Sequence, residues 1–489
     1  MAGFIMKTFP LIAAIRPFFL LMSLLLLPCY ASADAEAALP TVDLKNHFVG
    51  HFALAVTVIA YILAMTEDLS QLSKAKPMVF GSAIIWFAIF IYFSYTTGSA
   101  KNVSVIFQSN LTAYAELFLF ITVSMTFLNA MTERGIFDAL RIILENRQFS
   151  YRKLFWITGA LAFLLSTVIS SLTVGLLMGY IILQIGKNQP KFVGLAGLNA
   201  VVAANAGGTM SPLGGISTFF VWQQNTLHFS EFFTLTMPCL VNFMVPAAIM
   251  HFAVTKETPL YAKQTPVVKR GSKRVIFIFV LTFAITILSN VFLDMPAIAG
   301  MIFGLSLLQF FAYFLTKTEK LRHFLIPETQ QMIDANKGFD VFKCIAGVDW
   351  DTLLFFYGAM MIVGALSFLG YLDAMAHYLF TQISPTIANV LIGLSSACID
   401  NGTLMFAVLN MHPDFPQGQW LLLTLTLGVG GSLLAIGSAP GLHVLGLMKG
   451  AMKEGEGYTF TLHLRWMPAI LLGFFASIET LFLINGGKF

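Results

Sequence analysis

Gly207-Gly208-Thr209-Met210-Ser211-Pro212-Leu213-Gly214 and Gly430-Gly431-Ser432-Leu433-Leu434-Ala435-Ile436-Gly437 decide how this chain is read. Each runs Gly-Gly, a hydroxyl residue, three further residues, an aliphatic residue and Gly, and each interrupts a long apolar segment. Glycine breaks at corresponding places in two halves of a membrane chain are the best sequence pointer to a transporter binding site. Unwound backbone offers carbonyls and half-helix ends to an ion, which an unbroken lipid-facing helix cannot do. The pattern predicts a secondary ion transporter.

Composition sets the class. Hydrophobic residues make up 57% of the chain and charged residues 11%, and the mean hydropathy is +0.80, so apolar runs of spanning length fill most of it. The expected fold is an all-α polytopic membrane protein. The 48 Phe and 23 Met suit lipid-facing and helix-packing surfaces and call for no cofactor. Residues 1–33 read as a secretory signal peptide: Lys7 and Arg16 form the basic region, residues 17–27 the apolar region, and Ala31-Ser32-Ala33 the small-residue cleavage site. Cys29, Cys239, Cys344 and Cys398 are scattered and indicate neither a disulfide framework nor a metal centre.

Apolar runs follow at residues 48–65, 78–95, 112–131, 153–187, 193–222, 233–253, 275–293, 296–316, 352–372, 385–411, 420–447 and 467–484. Runs 153–187 and 385–411 are too long for one helix and carry polar residues midway. Each is expected to be a hairpin that enters and leaves on one side, which leaves ten full crossings. With that count, 23 basic residues fall on the segments of one side and three, Lys45, Lys101 and Lys488, on the other. The positive-inside rule then places the 23 in the cytoplasm and both mature termini outside, in a bacterial inner membrane.

Two halves emerge, residues 78–254 and 296–485, each with two helices, a hairpin, a glycine-broken helix and a last helix. Residues 34–77 form an N-terminal segment and first crossing, and residues 255–295 a basic linker and connecting helix. One hairpin would enter from each side, so the halves form an inverted-topology repeat. The hairpin tips also correspond. Ser170-Ser171-Leu172-Thr173 stands in the first and Asp400-Asn401-Gly402-Thr403 in the second, with Thr173 and Thr403 230 positions apart. The glycine breaks are 223 apart, a difference of a few loop residues.

Asp400 is the most informative side chain. A carboxylate at helix centre costs roughly 2.5–3.5 kcal/mol on insertion scales, so it should face a cavity or a partner. Burial favours its protonated form and a bound cation its ionised form, the physics of a site that trades H+ for a small cation. Asp400 followed by Asn401 and Gly402 is also good helix-capping chemistry, and that plainer role is weighed beside the first. Asn401, Thr403, Ser432 and Ser438 offer neutral oxygens near it, and hard cations prefer oxygen ligands. In the first half Asn205, Thr209 and Ser211 occupy the corresponding break, and Ser170, Ser171 and Thr173 the tip. Membrane helices also use Ser and Thr simply to hydrogen-bond one another. Glu116 is the other acid deep in a helix, either a second proton carrier or a partner for a polar side chain across the bundle. His51 and His443 can titrate near neutrality. No Walker-type loop, His-Glu-x-x-His or Gly-x-Ser-x-Gly occurs, so nothing here predicts an ATPase, a metalloprotease or another enzyme, and nothing predicts nucleic-acid binding.

These residues resemble the NhaD-type sodium/proton antiporters of the ion transporter superfamily. The resemblance is carried by Asn199-Ala200-Val201-Val202-Ala203-Ala204-Asn205-Ala206-Gly207-Gly208 with Ser211-Pro212, by Trp350-Asp351-Thr352-Leu353-Leu354-Phe355-Phe356-Tyr357-Gly358, and by Ile399-Asp400-Asn401. Gly430-Gly431-Ser432 with Gly437-Ser438-Ala439, Asn129-Ala130-Met131-Thr132-Glu133-Arg134 and Phe137-Asp138-Ala139-Leu140-Arg141 complete it. It implies exchange of Na+ or Li+ for H+, tips and breaks meeting at one central site, and a homodimer in the lipid. Two departures stand out: Ser170-Ser171 where such antiporters are expected to carry Asp-Asn, and Gly215 where an Asp is expected. The loss of first-half acids keeps a sodium-coupled symporter of a dicarboxylate or other anion open, although a carboxylate at Asp400 would repel that cargo. A non-transporting membrane sensor or scaffold is the reading from a third class.

Overall fold

The computed structural model describes residues 42–70, 72–259, 264–266, 268–325, 339–453 and 455–489. The expected signal segment lies outside the described residues. Every described element of secondary structure is helical. In chain order the principal helices are α1 (Phe48–Met65), α2 (Ala75–Thr97), α3 (Lys101–Glu133), α4 (Ile136–Asn146), α5 (Tyr151–Ser166), α6 (Ser171–Ile185), α7 (Pro190–Thr209), α8 (Ile216–Gln223) and α9 (Thr236–His251). They continue with α10 (Ser272–Leu293), α11 (Ala297–Leu325), α12 (Trp350–Phe368), α13 (Pro385–Ser395), α14 (Asn401–Asn410), α15 (Gln417–Gly430), α16 (Ala439–Ala451) and α17 (Phe460–Asn485). Among the described residues nine helical segments are long and apolar enough to cross a membrane.

Local chemistry explains where the helices begin and end. Pro190, Pro385 and Pro440 occupy first-turn positions of α7, α13 and α16, where a missing N–H costs nothing. Ser384, Asp349 and Thr459 cap α13, α12 and α17 by accepting bonds from the backbone N–H groups of Ile387, Thr352 and Leu462. The apolar run starting at residue 112 belongs to a longer helix than expected, α3, which begins at Lys101. Its polar stretch stays helical, with Asn110 Nδ2 donating to the Ile106 carbonyl at 2.9 Å.

Run 153–187 divides into α5 and α6, and run 385–411 into α13 and α14. These four helices have 16, 15, 11 and 10 residues, so at ~1.5 Å per residue each is about 15–24 Å long. None spans the ~30 Å hydrocarbon core alone. The expected crossing at 420–447 is two helices, α15 and α16, interrupted at Gly431–Ser438, which is why it is missing from the nine.

Two pre-break helices form the centre. In α7 every residue from Phe192 to Thr209 is buried, and in α15 every residue from Gly418 to Gly430. Their small residues let neighbouring backbones approach closely. α7 packs against α5, α6, α9 and α15; α15 packs against α13 and α14. The post-break helices cross over: α8 lies on hairpin arm α14, and α16 on hairpin arm α6. Each post-break helix therefore rests on a short helix from the other half of the sequence.

The glycines mark where these approaches are tightest. A Cβ on Gly207 would lie 2.0 Å from the Phe163 carbonyl oxygen, and one on Gly430 2.1 Å from that of Gly393. Gly214 and Gly437 stand likewise against the carbonyls of Ser166 and Ala397, at 2.0 and 2.5 Å. Gly207 and Gly214 thus press on the C-terminal part of α5 as Gly430 and Gly437 press on the end of α13 and the turn after it.

Candidate functional site

Asp400 closes the turn between α13 and α14 and caps α14. Its Oδ2 accepts from the N–H groups of Gly402 at 2.9 Å and Thr403 at 3.1 Å, and from Thr403 Oγ1 at 3.5 Å. The capping role is real. All three bonds fall on Oδ2, however, and Oδ1 has no hydrogen bond among the described residues. The half-buried carboxyl lines a cavity of about 90 Å³, room for several waters. Ser438, Tyr61, Glu67, Lys74 and Phe355 share that lining. Capping and cavity are compatible, because one oxygen serves each.

From Ser438 the polar contacts run into the core. Asn205 Nδ2 donates to Ser438 Oγ and to Ser432 Oγ, both at 2.8 Å. All three side chains are buried. A side chain of α7 thus ties together both ends of the interruption between α15 and α16. Thr209 Oγ1 donates to the Asn205 carbonyl at 2.8 Å, one turn on, and packs so closely on α15 that a Cβ on Gly428 would meet its oxygen at 2.0 Å. Behind Ser432 stands His463, fully buried, with Nε2 2.9 Å from the Ser432 carbonyl and Nδ1 2.7 Å from the Tyr458 hydroxyl. A neutral ring satisfies both: the Tyr458 hydroxyl donates to Nδ1 and Nε2–H donates to the carbonyl.

The remaining first-half candidates lie apart from this network. Ser170 starts α6 as Asp400 starts α14, but makes no capping bond with its side chain. The Ser171 N–H donates to the Gly214 carbonyl at 2.8 Å, joining tip to break through backbone. Ser211 Oγ accepts from the Leu213 N–H at 3.2 Å and its carbonyl from Thr218 Oγ1 at 2.9 Å, so it shapes the turn. Gly215 begins α8 beside Thr218. Thr173 lines a second cavity of about 540 Å³ with Asn129, Asp138, Tyr180, Asp349 and His443. Asn401 has no hydrogen bond from its side chain among the described residues.

Glu116 is the clearest separation. It accepts a hydrogen bond from Gln223 Nε2 at the end of α8 and lines a third cavity, of about 170 Å³, with Asn290 and Asp294. Depth along α3 was readable from sequence, but the direction the carboxylate faces was not.

His443, on α16, meets two acceptors: the Ala439 carbonyl at Nδ1, 2.8 Å, and Asp349 Oδ2 at Nε2, 3.1 Å. Burial pushes the Asp349 carboxyl up, but the hydrogen bonds from His443 and Thr352 outweigh this and hold it well below the usual carboxylate range. A depressed carboxylate contributes stability above its unfolded value and loses it as pH falls through the folded one. Asp349→Ala should therefore lower stability by about 1 kcal/mol, a typical cap loss, at neutral and alkaline pH. Thermal unfolding in detergent should show wild type and variant converging only below roughly pH 4, the ordinary Asp range.

Sequence reading passed over several groups. Tyr61 and Lys74 line the cavity with Asp400. Asp351, bound by the Ser73 hydroxyl, stands one turn before Phe355. Each looks ordinary in sequence: an aromatic in an apolar helix, a lysine in a short polar loop, an acid in a helix first turn. Tyr458 and His463 were equally unmarked.

Comparison with known proteins bears on this arrangement. A family model described as "Citrate transporter" matches residues 52–428. The Na(+)/H(+) antiporter NhaD of Vibrio cholerae is 44% identical over 458 residues, 91% of this chain and 94% of that protein. Its counterpart in Alkalimonas amylolytica is 42% identical, over 93% of this chain and 94% of that protein. The Halomonas elongata protein of the same name is 40% identical over 97% and 96%.

Proposed function

Because the chain belongs to the NhaD family of sodium/proton antiporters, we propose that it exchanges Na+ for H+ at the junction of its two helix breaks, with Asp400 as the carboxylate that holds each in turn. One observation carries the reading: Asn205 of the first break donates to both Ser432 and Ser438 of the second, and Ser438 opens onto the cavity of Asp400. Asp400 Oδ1, Ser438 Oγ and cavity water supply the oxygen ligands a hard cation needs. A proton on the same carboxyl removes the charge that attracts the metal, so the two cargoes exclude each other. With Ser170, Ser171 and Gly215 in the first half, Asp400 supplies the only carboxylate at the tips and breaks.

The halves act as inverted repeats in this reading, and α5–α6 and α13–α14 are re-entrant hairpins. The basic-residue asymmetry orients the protein in a bacterial inner membrane with both mature termini periplasmic, and puts the loop bearing Glu67 and Lys74 in the cytoplasm. The Asp400 cavity, lined by that loop, then opens inward. A homodimer follows the family resemblance. Anion symport is disfavoured: a carboxylate in the cavity repels a carboxylate cargo, and the full-length relatives are named as antiporters.

Everted membrane vesicles test this. Adding Na+ or Li+ should dissipate an imposed pH gradient, while K+ and succinate should not. Asn205→Ala should raise the apparent KM for Na+ about tenfold, the scale of one or two buried hydrogen bonds lost at about 1 kcal/mol each. Vesicles silent to every monovalent cation, or answering succinate alone, would contradict the proposal.

A further inference from the structure

The Asp400 cavity holds a cation of its own. Lys74 stands at the start of α2, and its side chain lines the same cavity wall as Ser438 and Asp400. Its ammonium is 5.1 Å from the centre of the Phe355 ring, a cation–π seat that steadies a charge against an apolar wall. Lys74 and Asp400 line one cavity of about 90 Å³, small enough for an ammonium to act on a carboxylate across it. The other titratable groups on that lining are Glu67 of the short helix after α1, Tyr61 of α1 and Cys398 of the hairpin turn. Asp351, at the start of α12, is engaged by Ser73.

We propose that Lys74 is the resident counter-cation of Asp400, the charge that Na+ opposes on binding and that stands in for it after release. This rests on the site assigned above and goes beyond it, since a carboxylate alone suffices to alternate between metal and proton. The added ammonium does two things. It repels an entering Na+, which keeps affinity low enough for release. It also favours the ionised carboxylate over the acid, so the proton leaves at lower pH than it would from an isolated buried carboxyl. A spent site therefore need not sit with an uncompensated negative charge in low dielectric, a costly state.

Removing the charge moves the two readouts in opposite senses. In Lys74→Gln the apparent KM for Na+ at strongly alkaline pH, where the carboxyl is ionised in both proteins, should fall about tenfold. The rise of activity with pH should shift alkaline by about one pH unit, the same tenfold expressed in protons. Lys74→Arg keeps the charge and should stay close to wild type in both. Na+ titrations in everted vesicles across neutral to alkaline pH measure both quantities. If both Lys74 variants lose rate with KM and pH profile unchanged, Lys74 only supports the fold and the proposal fails. If Lys74→Gln matches wild type while Asp400→Asn is inactive, the counter-cation role fails and the Asp400 site stands. If Asp400→Asn matches wild type, the site assignment fails and the role of Lys74 with it.

Discussion

Asp400→Asn should leave the protein folded and remove Na+-driven proton movement altogether. The substitution separates the two things this side chain does. Asn is as good a helix cap as Asp, and its carbonyl can accept from Gly402 and Thr403 as Oδ2 does now. The seat of α14 on α8 should survive, and thermal stability in detergent should change by no more than ~0.5 kcal/mol, the usual span for a substitution that breaks no structural feature. Charge, by contrast, is lost completely. The amide takes up no proton in the physiological range and offers Na+ a dipole in place of a full charge. Both cargoes lose their ligand, so exchange in everted vesicles should fall to background for Na+ and Li+ alike. Asp400→Ser, a second capping residue without charge, should behave the same way. Vesicles of either variant that exchange at the wild-type rate would remove the carboxylate from the cycle and leave Asp400 as a cap only.

The parts of this protein that were legible in sequence are those where a residue is anomalous for its surroundings. Gly207, Gly214, Gly430 and Gly437 interrupt apolar runs, and each marks a backbone approach that no side chain could enter. Asp400 is a charge where charge is expensive, and it lines a cavity. Asn205, Ser432 and Ser438 are polar residues at the breaks, and Asn205 donates to both serines. What stayed hidden depends on direction rather than depth. Glu116 was read as buried midway along a helix, yet it faces Gln223 and a different cavity, because the helical position of an isolated acid does not say which neighbour it meets. Thr173 matched Thr403 by position, but one lines the cavity with His443 and the other touches Asp400. In sequence Lys74 is one lysine in a short polar loop, and only the placement of that loop beside Phe355 brings it to the cavity. Tyr458 and His463 carry no anomaly at all; their part in holding Ser432 exists only in three dimensions.

Gly430→Ala and Gly207→Ala should each cost far more than one methyl group usually does. In a helix interior Ala is favoured over Gly by about 1 kcal/mol, so propensity alone makes both variants stabilising. Sterics reverse the sign. The new carbon would lie 2.1 Å from the Gly393 carbonyl oxygen in one case and 2.0 Å from that of Phe163 in the other. These are backbone atoms, so relief requires moving α13 or α5, not a side chain. Overpacking of this kind typically costs ~1–3 kcal/mol and occasionally more. Displacing α13 also moves the turn that carries Asp400, so exchange through Gly430→Ala should fall by at least about tenfold even where folded protein is recovered. Gly446→Ala supplies the control: it lies within α16, where a Cβ meets nothing within 4 Å, and should match or slightly exceed wild-type stability with exchange unchanged. Thermal unfolding in detergent and Na+ exchange in vesicles read the two effects separately. Equal losses at Gly207 and Gly430 would mean that both hairpins are seated by the same contact, made once in each half of the chain. A loss at Gly430 alone would mean that only the hairpin bearing the carboxylate must be held rigidly, and that the first half, stripped of its acids, tolerates a looser fit. Wild-type exchange in both variants would sever the link between the glycine breaks and transport.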